Sequence, residues 1–310
     1  MSSIFTTLLI KILPLYLLIA IGYIAGKYLK VQKESLAPLL IYIITPMVVL
    51  GTITSTHLSS TFISLPFLYF IPACVMCVLF YYIAGFFYKD SHRNILAYAS
   101  GTANTGYFAL PLSLVLFGPT YFNVALFISL GGILYESTIG FFIVARGSFT
   151  YKQSLYKVLK LPTLYAIILG VVVHIYNISL GQSAAEFFNY FKGAYIVLGM
   201  MLIGVSLSHV VKTSLDKVFT TLAFVAKFVV LPAIVIGMVV LDKYMFHIFT
   251  ADVHTVLLIM SAVPIASNTV VLATLFKTQP EKMAVTVLLS TVVGLVYMPV
   301  FVLVVQVLML

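Results

Sequence analysis

Charge is what this chain of 310 residues has least of. Asp, Glu, Lys and Arg together make up 8% of it, where a soluble domain carries roughly 25%. A water-soluble globular fold is excluded on that ground. Tryptophan is absent. No hydrophilic block is long enough to form a separate domain, so an appended enzyme or nucleic-acid reader is excluded too. The chain has no HExxH, no GxSxG and no P-loop signature, so nothing supports metallohydrolase, serine hydrolase or ATPase chemistry, and no cofactor is implied. Cysteine is limited to Cys74 and Cys77, in Cys-Val-Met-Cys inside an apolar run. With no second ligand pair, they read as small hydrophobes. Six histidines form no metal pattern: His57, His92, His209, His247 and His254 fall in or beside loops, and His174 late in an apolar run.

Apolar residues make up 62% of the chain, and its mean hydropathy is +1.16. They come in runs of about 20 residues, the length a helix needs to cross roughly 30 Å of hydrocarbon. A transmembrane barrel would alternate in segments of about 10 residues, and no such pattern exists. The fold class predicted is therefore all-α integral membrane. Ten spans are expected, near 4–26, 35–55, 64–87, 94–117, 121–145, 161–179, 187–208, 218–240, 252–276 and 282–308. The first run has no basic segment before it and is too long for a signal peptide, so it reads as a span. The net charge of +9 does not indicate a nucleic-acid partner, because the basic residues sit in short loops. Thirteen of the seventeen fall on alternate loops: Lys27, Lys30, Lys33, Lys89, Arg93, Arg146, Lys152, Lys157, Lys160, Lys212, Lys217, Lys277 and Lys282. The positive-inside rule makes that side cytoplasmic and puts both termini outside the cell membrane.

The longest basic loop, 146–160, divides the spans five and five. An odd number per half means that the halves enter the membrane in opposite directions. Residues 14–22, PLYLLIAIG, resemble residues 162–170, PTLYAIILG, and Val49-Leu50-Gly51 recurs as Val197-Leu198-Gly199 at the same offset. The reading is two inverted five-helix repeats, 1–150 and 151–310. The fourth span of each half is also broken. Gly101-Thr-Ala-Asn-Thr-Gly-Tyr-Phe-Ala-Leu-Pro-Leu-Ser113 places glycines, a proline and polar side chains where lipid should be, and Ser261-Ala-Val-Pro-Ile-Ala-Ser-Asn-Thr269 does the same. A proline leaves a carbonyl without its helical donor, and in hydrocarbon that is tolerated only against protein or a water-filled cavity. Paired interruptions of this kind mark a transporter's substrate site.

Within these stretches, Asn104 and Asn268 either cap freed backbone groups or hold a polar ligand, and both roles fit one amide. Thr102, Thr105, Ser113, Ser267 and Thr269 extend the polar lining or bond their own backbone. Pro111 and Pro264 mark the helix breaks. The N-terminal ends of the half-helices suit an anionic substrate group. Four ionisable residues lie within spans. Glu136 is the sharpest, either binding a coupling cation or proton or forming a structural ion pair. Lys227 is its natural partner, or a counter-charge for an anion. Lys11 and Lys192 lie near span ends, where they can snorkel, and are given no role. Gly131-Gly132, Gly199 and Gly204 fit close helix contact.

Asn104-Thr-Gly-Tyr-Phe-Ala-Leu-Pro111, Thr45-Pro46-Met-Val-Val-Leu-Gly51 and Pro264-Ile-Ala-Ser-Asn-Thr269 resemble the auxin efflux carrier family, which includes bacterial organic-acid permeases and the plant PIN-formed carriers. The resemblance runs over essentially the whole chain. It implies spans four and nine crossing at their breaks, a scaffold part and a transport part each built from both repeats, and an elevator-like motion. It implies that Asn104 and Asn268 bind substrate and that the region of Glu136 couples an ion. It also implies self-association as a dimer. The long cytoplasmic loop of many plant members is missing, so regulation there is not expected. The function expected is a secondary transporter of a small organic anion, such as malate or an auxin-like acid, driven by the substrate gradient, the membrane potential or a coupled proton or Na+. The alternatives are a sodium-coupled symporter of larger amphipathic anions and a membrane sensor that gates a partner.

Overall fold

A computed structural model describes residues 2–55, 60–176, 178–208 and 215–309. His57, His209 and Lys212 lie outside the described residues, as do the side chains of Lys11 and Pro111. Every regular element among the described residues is a helix. The first is α1 (Ser2–Tyr28). Next, α2 (Lys33–Leu39) passes through a π-helical turn at Leu40–Ile44 into α3 (Thr45–Thr54). Then come α4 (Ser60–Phe87), α5 (His92–Gly101), a second π turn at Thr105–Ala109, α6 (Leu110–Phe117), α7 (Pro119–Ser137) and α8 (Ile139–Arg146). A short amphipathic α9 (Tyr151–Leu159) opens with a capping box between Thr150 and Gln153 and leads into α10 (Pro162–Ile175) and α11 (Gly181–Ser208). α12 (Lys217–Val225) runs through a π turn at Ala226–Val230 into α13 (Leu231–Leu241), followed by α14 (Ala251–Ala262), α15 (Asn268–Leu275) and α16 (Pro280–Met309).

Two of the π turns have a local cause. Each directly precedes a proline in the next first turn, Pro46 or Pro232. The wide bonds from Thr45 N–H to Leu40 O and from Leu231 N–H to Ala226 O make room for a ring that would clash with the preceding turn.

Among the described residues, four continuous stretches are long and apolar enough to cross a membrane: Lys33–Gly51, Ile63–Phe87, Thr120–Arg146 and Lys217–Phe246. Two bent pairs reach that length together, Tyr151–Leu159 with Pro162–Ile175 and Pro280–Gly294 with Val296–Val302. Large apolar side chains face outward along these helices, such as Ile63, Phe67, Ile71 and Val75 on α4. Water would make such a surface sticky, whereas lipid is its natural solvent.

With no hydrophobic drive between helices in lipid, close packing has to hold them together. α1 lies along α11, and α3 lies along α10 and α11. The α1–α11 contact is backbone to backbone: a side chain at Gly204 would run into the Ile19 carbonyl, and one at Gly22 into the Met201 carbonyl. α4 packs on α5 and α7, while α14 packs on α7, α13 and α16. At Gly131 a side chain would strike the Pro66 carbonyl of α4. Gly131 and Gly204 therefore have the close-contact use that their sequence context suggests. Cys74 and Cys77 are free thiols, Cys77 fully buried.

Candidate functional site

The first interruption ends α5 at Gly101, and its freed carbonyls are individually answered. The Tyr135 hydroxyl donates to Tyr98 O at 2.9 Å, the Tyr69 hydroxyl to Gly101 O at 3.3 Å, and Thr102 Oγ1 to Ala99 O at 3.0 Å. This meets the requirement that a broken helix find partners inside the protein. The second interruption, between Ala262 and Asn268, is met in the same way. Ser290 Oγ of α16 accepts from Ile265 N–H at 3.2 Å, and Ser261 Oγ donates to Leu258 O.

The two interruptions touch each other. The backbone N–H of Asn104 donates to the carbonyl of Pro264 at 2.8 Å, and the hydroxyls of Thr102 and Thr269 lie 3.2 Å apart. Residues from opposite ends of the sequence thus complete one another's backbone. The ring of Pro264 rests over Gly294 of α16, where any side chain would collide with it.

Beside this junction lies a cavity of about 190 Å³. Its polar wall consists of Asn104 and Thr105 from the first interruption, Ser267 and Asn268 from the second, Glu136 and Ser129 from α7, and Lys192 and Tyr195 from α11. Apolar groups, including Val48, Leu110, Phe122, Leu126, Ile133 and Ile196, form the remainder. The chain resumes as helix at Thr105 and at Asn268, so both restarting ends line the cavity. A helix N-terminal end carries partial positive charge.

Glu136 and Asn268 form the hinge of this arrangement. The Asn268 amide donates to Glu136 Oε2 at 2.7 Å and also to the Tyr195 hydroxyl. The carboxylate fixes the amide orientation, because only the nitrogen can donate. Glu136 stands in the last turn of α7, just before the helix is interrupted at Thr138, whose hydroxyl bonds back to Leu134 O at 2.7 Å. Glu136 and Asn268 also line a second hollow of about 30 Å³, with Thr45, Tyr98, Ser137 and Thr163. The Tyr98 hydroxyl there is buried without a hydrogen-bond partner among the described residues. The pair thus separates the two spaces.

Asn104, Asn268, Thr105, Ser267 and Glu136 therefore come together at one cavity. Thr269 does not line it; it is buried and spends its hydroxyl on Thr102. Pro264 contributes its carbonyl to the junction, and Pro111 stands at the second position of α6. The pairing of Glu136 with Lys227 is not made. Lys227 sits in the π turn before α13, fully buried, away from the cavity lining and with no hydrogen-bond partner for its side-chain nitrogen among the described residues. The cation at the cavity is Lys192 instead. The sequence reading starts its span at 187, which puts Lys192 near an end. The helix in fact begins at Gly181, and Lys192 lies well along it, beside Tyr195 and Ile196 at helical spacing. A window that admitted the polar first turns of α11 would have found it.

Two polar clusters at helix ends were also not anticipated. Asp216 caps α12 and accepts from the Tyr88 hydroxyl at 2.8 Å and from Lys282 at 3.2 Å, while Lys282 also reaches His92 Nε2 at 2.8 Å. His254 meets Asp242 at 2.7 Å.

The profile of a family described as membrane transport protein matches residues 146–302. An uncharacterized transporter of Methanocaldococcus jannaschii is 28% identical over 299 residues, covering 92% of this chain and 94% of the relative. With its apolar helices and paired interruptions, the chain is a multi-pass membrane protein and belongs to the membrane transport protein family, that of the auxin efflux carriers which its break motifs resemble.

Proposed function

We propose that the protein is a secondary transporter for a small organic anion, working by alternating access around the junction of the two interruptions. The cavity carries this reading. Two helix N-terminal ends, two asparagine amides and a lysine converge on it, which is a setting for a carboxylate. Its volume of about 190 Å³ is below the roughly 300–1,000 Å³ of sites for drug-sized ligands, which favours a small acid over a large amphipathic anion. Asn104 and Asn268 hold the carboxylate, with Thr105 and Ser267 beside them. Glu136, standing between the two hollows, carries the coupling proton or Na+.

The architecture belongs to the same reading. Ten spans form two inverted halves. The reciprocal pairing of α1 with α11 and of α10 with α3 is what a two-fold relation between the halves requires. These four helices make the scaffold, and the helices around the interruptions make the transport part. The bond from Asn268 to Tyr195 of α11 crosses between them and breaks when the transport part moves. The basic loops face the cytoplasm and the termini face outward.

The test is reconstitution of the purified protein in liposomes with labelled small organic acids, with and without a proton or sodium gradient. The wild type is expected to show gradient-driven uptake. Glu136→Gln is expected to lose the gradient dependence and keep exchange down the substrate's own gradient. Folded protein that moves no acid would sink the proposal.

A further inference from the structure

Lys192 and Glu136 are the two side chains of opposite charge that line the cavity. They stand on different helices, α11 and α7, and no ion pair joins them among the described residues. Glu136 is occupied by Asn268. Lys192 is partly exposed, and its ammonium pairs with no carboxylate among the described residues. A half-desolvated ammonium with no counter-ion costs free energy that an entering anion recovers.

Electroneutrality decides how much anion the site accepts. With Glu136 ionised, the cavity charges sum to zero. One carboxylate takes the ammonium of Lys192 and leaves a single excess negative charge, which one proton or cation at Glu136 cancels. A second carboxylate finds no second cation. The polar groups left to it, such as Asn104, Thr105, Ser267 and Asn268, are uncharged, and the rest of the wall, including Val48, Phe122 and Ile196, is apolar, so its charge stays unbalanced. An apolar body fits that part of the wall.

Resting on the transport reading of this cavity, we infer that Lys192 is its specificity-determining residue and that it selects a small monocarboxylate with an apolar body over a dicarboxylate and over the neutral amide. Lysine supplies a compact single charge and not a two-pronged one, in keeping with capture of one carboxylate.

The test uses three probes sharing one ring: phenylacetate, phenylmalonate and phenylacetamide. Labelled phenylacetate uptake is measured in liposomes holding the full chain, and the other two compounds are added as competitors. The wild type is expected to take up phenylacetate saturably, with phenylmalonate and phenylacetamide competing at least about tenfold more weakly than unlabelled phenylacetate. Lys192→Met should raise KM for phenylacetate by about tenfold or more and abolish the advantage of the acid over the amide. Lys192→Arg should restore a good part of it. Lys192→Gln is the second neutral variant, and all variants are checked for wild-type melting. Unchanged KM in both neutral variants overturns the inference, as does a wild type that prefers phenylmalonate. If the wild type moves other acids and none of the three probes, the monocarboxylate class is wrong. A folded wild type that moves no acid at all overturns the transport reading first, and this inference with it.

Discussion

At the scale of single residues, the fully buried Lys227 is a costly group. Its side-chain nitrogen has no hydrogen-bond partner among the described residues, and a buried polar group without a partner is less stable than an apolar side chain of similar volume. Lys227→Met is therefore expected to raise the melting temperature in detergent by about 2–4 °C, for about 1 kcal/mol. The chain has no tryptophan, so circular dichroism is the suitable probe. A fall in melting temperature would mean that the ammonium has a counter-charge after all. This residue also shows where reading the sequence stops. That Lys227 and Glu136 are charges inside spans is legible from composition alone. Which face each one points to depends on helix rotation, and rotation is set by packing. Asn104 and Asn268 were legible because a polar amide beside a proline in an apolar run has few other uses. Lys192 was not, because the polar start of α11 reads as loop.

At the scale of elements, the α1–α11 contact depends on small residues meeting backbone. Gly204→Leu would push a side chain into the Ile19 carbonyl and destabilise the protein by about 1–3 kcal/mol or more. Thermal denaturation in detergent measures this. The same substitution at Gly237, which has nothing among the described residues within 4 Å of an added Cβ, is expected to leave the melting temperature within about 1 °C of wild type. Equal losses at the two sites would refute the close-contact account. The helical elements and the two interruptions follow from apolar runs and from glycine and proline inside them. The π turns before Pro46 and Pro232 do not, because they depend on how the surrounding bundle accommodates each ring.

At the scale of the whole molecule, the ends of α4, α12 and α16 meet at Asp216, and Lys282 links them to His92 of α5. Burial alone would push its carboxyl upward, but the Phe219 N–H, the Tyr88 hydroxyl and the Lys282 ammonium outweigh that and hold it below the usual carboxylate range. Since the folded value is the lower one, the stabilisation is fully present above the unfolded value near 3.8 and fades as pH falls through the folded value. Asp216→Asn is thus expected to lower the melting temperature at pH 7 and at pH 5 alike, with the gap from wild type closing only below about pH 4. A gap that closed between pH 7 and pH 5 would refute the assignment to Asp216. The family and its membrane setting were legible at this scale. The clustering of helix ends was not, since Tyr88, Asp216 and Lys282 are far apart in the sequence.

The bond from Asn104 N–H to Pro264 O also imposes an order in time. The donor leaves the ribosome 160 residues before the acceptor, as 264 minus 104 gives. At roughly 5–20 residues per second, the first interruption waits about 8 to 32 s in the assembling membrane protein for the group that completes it. Biogenesis must shelter that opening for as long as synthesis takes, and a slower ribosome lengthens the exposure.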